Sequence, residues 1–291
     1  MDGFALLGSH LGDPERKILT PAQIRQLTDR MALLSKGSPD RPLELGDLTA
    51  LGYGRQEGER ILSLLSETRA LRDYLRAGKN ARCELLTRGE EDYPPLLRRN
   101  LGGESPCCLF YKGDREILKR PGIALVGSRD LKEKNRGFAR EAGRQAALHG
   151  LTLISGNARG ADREAQNACL QAGGTVISVV ADTLTDKKED EKILYLSLED
   201  FDAPFSAARA LSRNRVIHAL GTMTLVAQCS LGTGGTWSGT TRNLQKGWSL
   251  VACFRDGSEA SLALEAQGAY LIDREDLVRL TDFKDPQMHL F

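Results

Sequence analysis

Residues 122–162 read GIALVGSRDLKEKNRGFAREAGRQAALHGLTLISGNARGAD. The run Ile123–Val126 is continuously apolar, as a strand buried on both faces of a parallel sheet must be. A helical pattern from about Glu133 to His149 follows, and then a second apolar run, LTLI, ends in another glycine-rich loop. Strand, helix and strand in this order make a βαβ unit, the building block of a parallel sheet.

The rhythm extends in both directions. CLFYKG precedes the stretch; a helix from Ala161 to Ala172, GTVISVV, ILYLSL, a helix from about Ala207 to Leu220, MTLVAQC, a helix near Thr240–Lys246, SLVACF and GAYLID follow it. This predicts an α/β fold, Rossmann-like and doubly wound, with a mostly parallel sheet of five to seven parallel strands. Residues 20–80 read instead as helices. Thr20-Pro21 opens one, with Ile24, Leu27, Met31 and Leu34 at helical spacing and Gly37, Pro39 and Pro42 to stop it. LTALGYGRQEGERIL (48–62) resembles a helix-hairpin-helix turn, and an ordinary tight turn between packed helices explains it equally. A third helix is expected over Glu57–Ala77, ending at Gly78, and Tyr93-Pro94-Pro95 must be extended or turned. The expected organisation is a small N-terminal helical domain over 1–80 and a Rossmann-like domain over 81–291.

Composition narrows the function classes. Of the 291 residues 41% are hydrophobic and 27% charged, and no apolar run approaches the roughly 18–20 residues of a membrane span. The first residues lack the pattern of an export signal, so a cytoplasmic location is expected. Six scattered cysteines without a C-x-x-C pair read as buried thiols, and four dispersed histidines suggest no metal. A net charge of +1 means that any affinity for nucleic acid comes from local clustering.

In an open parallel sheet, ligands collect beyond the carboxyl ends of the strands. Three glycine-rich loops fall there: Gly127-Ser128-Arg129, Ser155–Asp162 with Gly156, Arg159 and Gly160, and Gly232–Thr236 with Gly234 and Gly235. Glycine admits close backbone approach, helix N-termini present unpaired amides, and a guanidinium grips a phosphate with two bonds. Asp162 reads either as a helix cap or as a residue gripping a ligand or the neighbouring loop. Arg213 and Arg215, two apart on a helical pattern with Asn214 between, cannot share a face, so one is expected to grip phosphate and the other to hold the fold. Lys132, Lys134, Arg136, Arg140 and Arg144 against Glu133 and Glu141 give either a positive excess near the first loop or a solvated helix face.

Taken in order, EDYPPLL, LFYKGD, VGSR, SGNARGAD, SRNRVIHAL and GAYLID resemble the DprA/Smf family of DNA-processing proteins, a Rossmann-like branch related to the LOG phosphoribohydrolases. The resemblance spans roughly Leu85–Asp276. It implies sequence-tolerant binding and protection of single-stranded DNA, help in loading the RecA recombinase during natural transformation, and action as a dimer. It also implies a phosphate pocket of Gly127, Ser128, Arg129, Ser155, Gly156, Arg159, Gly160, Asp162, Arg213, Asn214 and Arg215, to which the third loop adds Gly234, Gly235 and Thr236. Phe110, Tyr111 and Trp237 are the nearest aromatic candidates for base stacking.

The chain departs from the family pattern in three places. ADTLTDKKED stands where a glycine-rich turn and a Tyr-Pro pair are usual, GTGGTWSGT replaces a serine-glycine-serine stretch, and ending at Phe291 leaves no room for the C-terminal winged-helix-like domain of many relatives. The rival reading is a nucleotide-binding or nucleotide-sensing protein, since GTGGT is similar to the LOG loop. Those enzymes place a glutamate soon after the threonine; here no carboxylate appears before Asp256, so phosphoribohydrolase chemistry lacks its acid or base. A protein-only adaptor would leave the arginine-lined loops without a role. No catalytic residue, cofactor or metal is assigned.

Overall fold

The apolar runs form the middle of one nine-stranded sheet in the computed structural model, which describes residues 2–34 and 41–282. The chain opens with α1 (Asp2–Gly8), α2 (Pro21–Leu34), α3 (Leu45–Ala50), α4 (Arg55–Ser66) and α5 (Thr68–Asn80). Strand β1 (Glu84–Thr87), α6 (Pro95–Leu101) and β2 (Cys108–Lys112) lead into β3 (Gly122–Val126), α7 (Glu133–Leu148), β4 (Thr152–Ser155), α8 (Ala161–Gln171), β5 (Val176–Val179) and β6 (Ile193–Ser197). Then come α9 (Ala207–Leu220), β7 (Met223–Val226), α10 (Gly234–Lys246), β8 (Leu250–Phe254), α11 (Glu259–Glu265) and β9 (Tyr270–Ile272). Among the described residues no helix is long and apolar enough to cross a membrane.

The strand order is β1-β2-β6-β5-β4-β3-β7-β8-β9. Every pairing from β6 to β9 is parallel, which makes seven parallel strands among the described residues, the upper end of the expected range. Strands β1 and β2 close one edge in antiparallel pairing. At the centre, Ala124 of β3 lies opposite Ile154 of β4 on one side and Thr224 of β7 on the other. The winding reverses at β3, so the carboxyl ends of β3, β4 and β7 flank a crevice, the place where this topology leaves room for a ligand.

Burial on both faces explains why these strands read as unbroken apolar runs. Ile123 and Leu125 pack with Phe138, Ala142 and Ala165 of α7 and α8, whereas Ala124 and Val126 meet Val216, Ile217 and Trp248 on the other side. Helices α7 and α8 approach so closely that a Cβ on Gly143 would lie 2.0 Å from the Ala165 carbonyl oxygen. The N-terminal helices bury Leu6, Ile24, Leu27, Leu48 and Ile61 in a cluster that also contains Cys108, Phe110 and Phe201. Asp200 fixes this packing: its carboxylate accepts from Ser9 Oγ (2.8 Å), His10 N (3.2 Å) and Gly12 N (2.7 Å).

Several local expectations are corrected. The single helix over Glu57–Ala77 is two, broken at Glu67, whose carboxylate accepts from the Nε of the nearly buried Arg16 at 2.8 Å. Gly78 does not stop α5. It lies inside the last turn, where a Cβ would sit 3.1 Å from the Cys83 carbonyl and 3.2 Å from the Phe201 ring. Tyr93-Pro94-Pro95 is turned only as far as a helix start: Pro94 caps α6 and Pro95 opens it, since a proline costs nothing at the first helical position. Helix α10 begins at Gly234, six residues before the expected Thr240, so the third glycine loop is itself the helix start. Met31 is 37% exposed and not core, and the expected stops Gly37 and Pro39 lie outside the described residues. Strand β1 and helices α1, α6 and α11 had no reading in the sequence.

One buried base gives the fold a pH signature. His218 of α9 is fully buried; Nδ1 lies 3.2 Å from both Thr224 Oγ1 and Asn243 Nδ2, and Nε2 has no partner among the described residues. Burial lowers its pKa from the ordinary 6.5 to about 3. The unfolded chain therefore binds a proton below pH 6.5 that the folded chain refuses. Stability is full above that pH and falls as pH drops toward 3, by about 1.4 kcal/mol per unit. Urea unfolding at pH 7.5 and 5.5 should show about 1.4 kcal/mol more loss in the wild type than in His218→Gln; equal losses would remove His218 from the account.

Candidate nucleic-acid interface

The first loop is built by steric necessity. A Cβ on Gly127 would lie 2.5 Å from Ala161 Cβ, so only glycine lets the end of β3 reach the start of α8. The Ser128 amide donates to Gln228 O (2.9 Å), and the Ser128 carbonyl accepts from the Ala161 amide (3.1 Å). The Gln228 side chain completes the clamp, donating to Asp130 O at 3.0 Å and accepting from Lys132 N at 2.9 Å. Gln228 had no reading in the sequence; its signal is its place at the carboxyl end of β7. Arg129 emerges from this rigid turn exposed, and its guanidinium makes no hydrogen bond or ion pair among the described residues.

The second loop is held from beneath. Gly160, at φ +85°, packs on the first loop, and a Cβ there would meet Ser128 O at 2.4 Å and Arg129 O at 2.5 Å. Gly160, not Asp162, caps α8. Of the two readings of Asp162, the grip on the neighbouring loop is the observed one: its Oδ2 accepts from the amides of Gly156 (3.0 Å) and Ala158 (3.2 Å). Burial raises the pKa of this carboxyl, opposed by the Arg213 guanidinium and those two amides. Arg213 is 7% exposed, and its Nη1 donates to the carbonyls of Gly156 and Val179. Gly156 is a glycine because a Cβ would fall 2.3 Å from that guanidinium.

The third loop runs straight into α10. Its N-cap, Thr233, supplies no side-chain bond to the first turn, so the amides of Gly234, Gly235 and Thr236, which open α10, take no acceptor from that cap. Thr236 Oγ1 donates to Gly127 O (3.1 Å) and Asn214 Nδ2 to Gly235 O (3.1 Å), which ties the third loop to the first and to α9.

These parts enclose a cleft of about 520 Å³ lined by Gly127, Ser128, Arg129, Asp162, Arg213, Asn214, Gly234, Gly235 and Thr236. Five of the expected site residues do not line it. Ser155 is fully buried, its hydroxyl accepting from Gln166 Nε2 at 2.6 Å. Gly156 and Gly160 shape the walls. Arg159 points to solvent and pairs with Asp130 at 3.1 Å.

Arg215 is a fifth departure: it sits on the opposite side of α9, near Glu104, Arg242 and Tyr93, and Arg213, bonded to two backbone carbonyls, is the one that holds the loops. The cationic face of α7 is likewise spoken for, with Arg136 and Arg140 on Glu164 and Arg144 on Glu141. Phe110 and Tyr111 are core residues, and Trp237 is half-buried against the core. The exposed apolar groups at the cleft are others, Phe205 (57% exposed) and Leu211 (55%). Phe205 stands out in the sequence only as an apolar residue between Pro204 and the helix cap Ser206. Among the described residues no group of three or more His, Cys, Asp or Glu could hold a metal ion.

Comparison with known proteins agrees with this architecture. The chain is similar to protein Smf of Synechocystis, 27% identical over 164 residues that cover 55% of this chain and 40% of that protein. It spans about half or less of the length of the curated relatives it matches. In fold it is similar to DNA processing protein A of Streptococcus pneumoniae, with a TM-score of 0.73 at 24% identity over 92% of this chain and 94% of the other. It also resembles DNA processing protein A of Helicobacter pylori, whose structure is described for its single-stranded DNA binding mode, with a TM-score of 0.57 at 19% identity over 70% of this chain and 98% of the other. The family of DNA recombination-mediator protein A matches residues 84–280, more than half of the chain, and the chain belongs to that family of DNA-processing proteins.

Proposed function

We propose that this chain binds single-stranded DNA by its phosphate backbone in the cleft beyond β3, β4 and β7. The observation that carries the reading is Arg129: an exposed guanidinium that makes no hydrogen bond or ion pair among the described residues, held on a clamped turn in the cleft that the first turn of α10 also lines. In this reading Ser128, Arg129, Gly234, Gly235 and Thr236 meet phosphate oxygens, while Gly127, Gly156, Gly160, Asp162, Arg213 and Asn214 hold the loops in place. Phe205 and Leu211 offer bases an apolar rest, which tolerates any sequence because every base has a flat face. The description of the Helicobacter pylori protein as a single-strand binder supports the same assignment.

The cleft favours binding over chemistry. Its one carboxylate among the described lining residues, Asp162, is buried and already accepts from two amides, a poor position for a general acid or base. From the family resemblance we extend the proposal to protection of the bound strand, delivery to RecA, and action as a cytoplasmic homodimer. Recognition is assigned to residues 81–291, with 1–80 as a helical attachment. The test is a titration of purified protein with poly-dT and, separately, with a panel of mononucleotides, followed by assay for released base. Poly-dT is expected to bind far more tightly than any mononucleotide, with no base released. Tight mononucleotide binding would favour a nucleotide sensor, and free base an enzyme.

A further inference from the structure

A second cavity, of about 300 Å³, lies away from the cleft between the N-terminal helices and the β1–β2 edge of the sheet. Its charged wall is Arg25 and Asp29 of α2, Arg88 just after β1, and Arg98 of α6. None of these residues lines the cleft. The cleft lies along α9 from Ala207 to Ile217, whereas α6 is tied to the end of that helix through Asn100 Nδ2 and the Ala219 carbonyl at 3.0 Å.

Three guanidiniums face this cavity against one carboxylate, and that carboxylate is engaged: Asp29 pairs with Arg25 at 3.4 Å. Arg88 makes no hydrogen bond or ion pair with its side chain among the described residues. Arg98 is pinned, its Nη2 donating to the carbonyls of Arg88 (2.9 Å) and Glu90 and its guanidinium lying 5.4 Å from the Tyr93 ring centre. Its Nε is buried with no partner among the described residues. Cys107 forms another wall, and burial holds its thiol up to about 11, so it adds no negative charge near neutrality.

A buried donor without an acceptor is costly, and several converging guanidiniums repel one another unless an anion sits between them. Planar guanidinium forks match the oxygens of phosphate two at a time, and the one carboxylate among the described residues lining the cavity is already paired. We propose that Arg25, Arg88 and Arg98 form a second anion site, separate from the cleft, for a phosphate group. The group could belong to a nucleic-acid backbone or to a free phosphate compound, and the experiment separates these sources.

The full chain is melted in chloride, in inorganic phosphate and with a dT oligonucleotide, all at matched ionic strength. Arg129→Ala serves as the background, so that the cleft contributes less, and dependence on Arg88 identifies what the second site adds. Phosphate should raise the midpoint of Arg129→Ala, and adding Arg88→Gln should remove at least half of that rise without lowering the chloride midpoint. If the dT oligonucleotide gives the same Arg88-dependent rise, the site holds strand backbone; if only phosphate does, it holds a free phosphate compound. Calorimetric titration with phosphate adds a second check, in which Arg88→Lys, keeping the charge but losing the fork, binds several-fold more weakly. No phosphate effect in Arg129→Ala, or an effect and an affinity indifferent to Arg88, overturns the proposal.

Discussion

Arg129→Ala is expected to weaken binding of single-stranded DNA about 10- to 100-fold, with the same loss on dT, dC and dA oligonucleotides. A hydrogen bond to a charged group contributes about 1.5–3 kcal/mol, and that range sets the factor. The loss is uniform because backbone contacts position a strand without reading its bases. It should come with a shallower salt dependence, the slope of log K against log salt falling by about 0.7 for each single-strand phosphate contact removed. Arg129→Lys should fall between, since an ammonium retains the charge and loses the two-pronged grip. The guanidinium makes no hydrogen bond or ion pair among the described residues, and its charge attracts Asp162 while repelling Arg213, so the unfolding midpoint should stay where it is. Unchanged affinity together with an unchanged salt slope would take the phosphate away from Arg129.

What the sequence made legible follows from where each signal originates. Ile123–Val126 has all its neighbours on both faces, so burial writes itself into consecutive residues, and the sheet and the places of its three loops could be read directly. The alternation of Arg213 and Arg215 also told correctly that they part company. Which of them faces the cleft depended on the carbonyls of Gly156 in the second loop and Val179 at the end of β5, each over 30 residues away in sequence, and no local pattern carries that. The break at Glu67 has the same character, because it answers to Arg16, 51 residues earlier. Phe205 and Gln228 escaped notice because each is an isolated residue in a loop, where periodicity is silent and only the assembled cleft gives them neighbours. The third glycine loop was found but misjudged in extent: glycine lowers the expectation of helix, whereas here Gly234 and Gly235 are the first turn of α10, exposing amides that a bulkier capping side chain would cover.

Asp162→Ala should cost the folded chain about 3–5 kcal/mol, the largest loss expected of any single change at the site. Two separate debts come due. The amides of Gly156 and Ala158 lose their acceptor in a buried place, and Arg213, 7% exposed, loses the carboxylate that offsets its charge. The two are coupled through Gly156, whose N–H donates to Asp162 and whose carbonyl accepts from Arg213, so the losses should not simply add. Asp162→Asn distinguishes them, because an amide oxygen still accepts from the two backbone donors while the charge is gone. Burial already works against the charged form of Asp162, so the asparagine variant should lose clearly less than the alanine variant in urea unfolding. An alanine variant within about 1 kcal/mol of the wild type would mean that the second loop does not depend on this carboxylate. Equal losses for both variants would make the charge on Arg213, rather than the satisfaction of two amides, the reason an acid stands there.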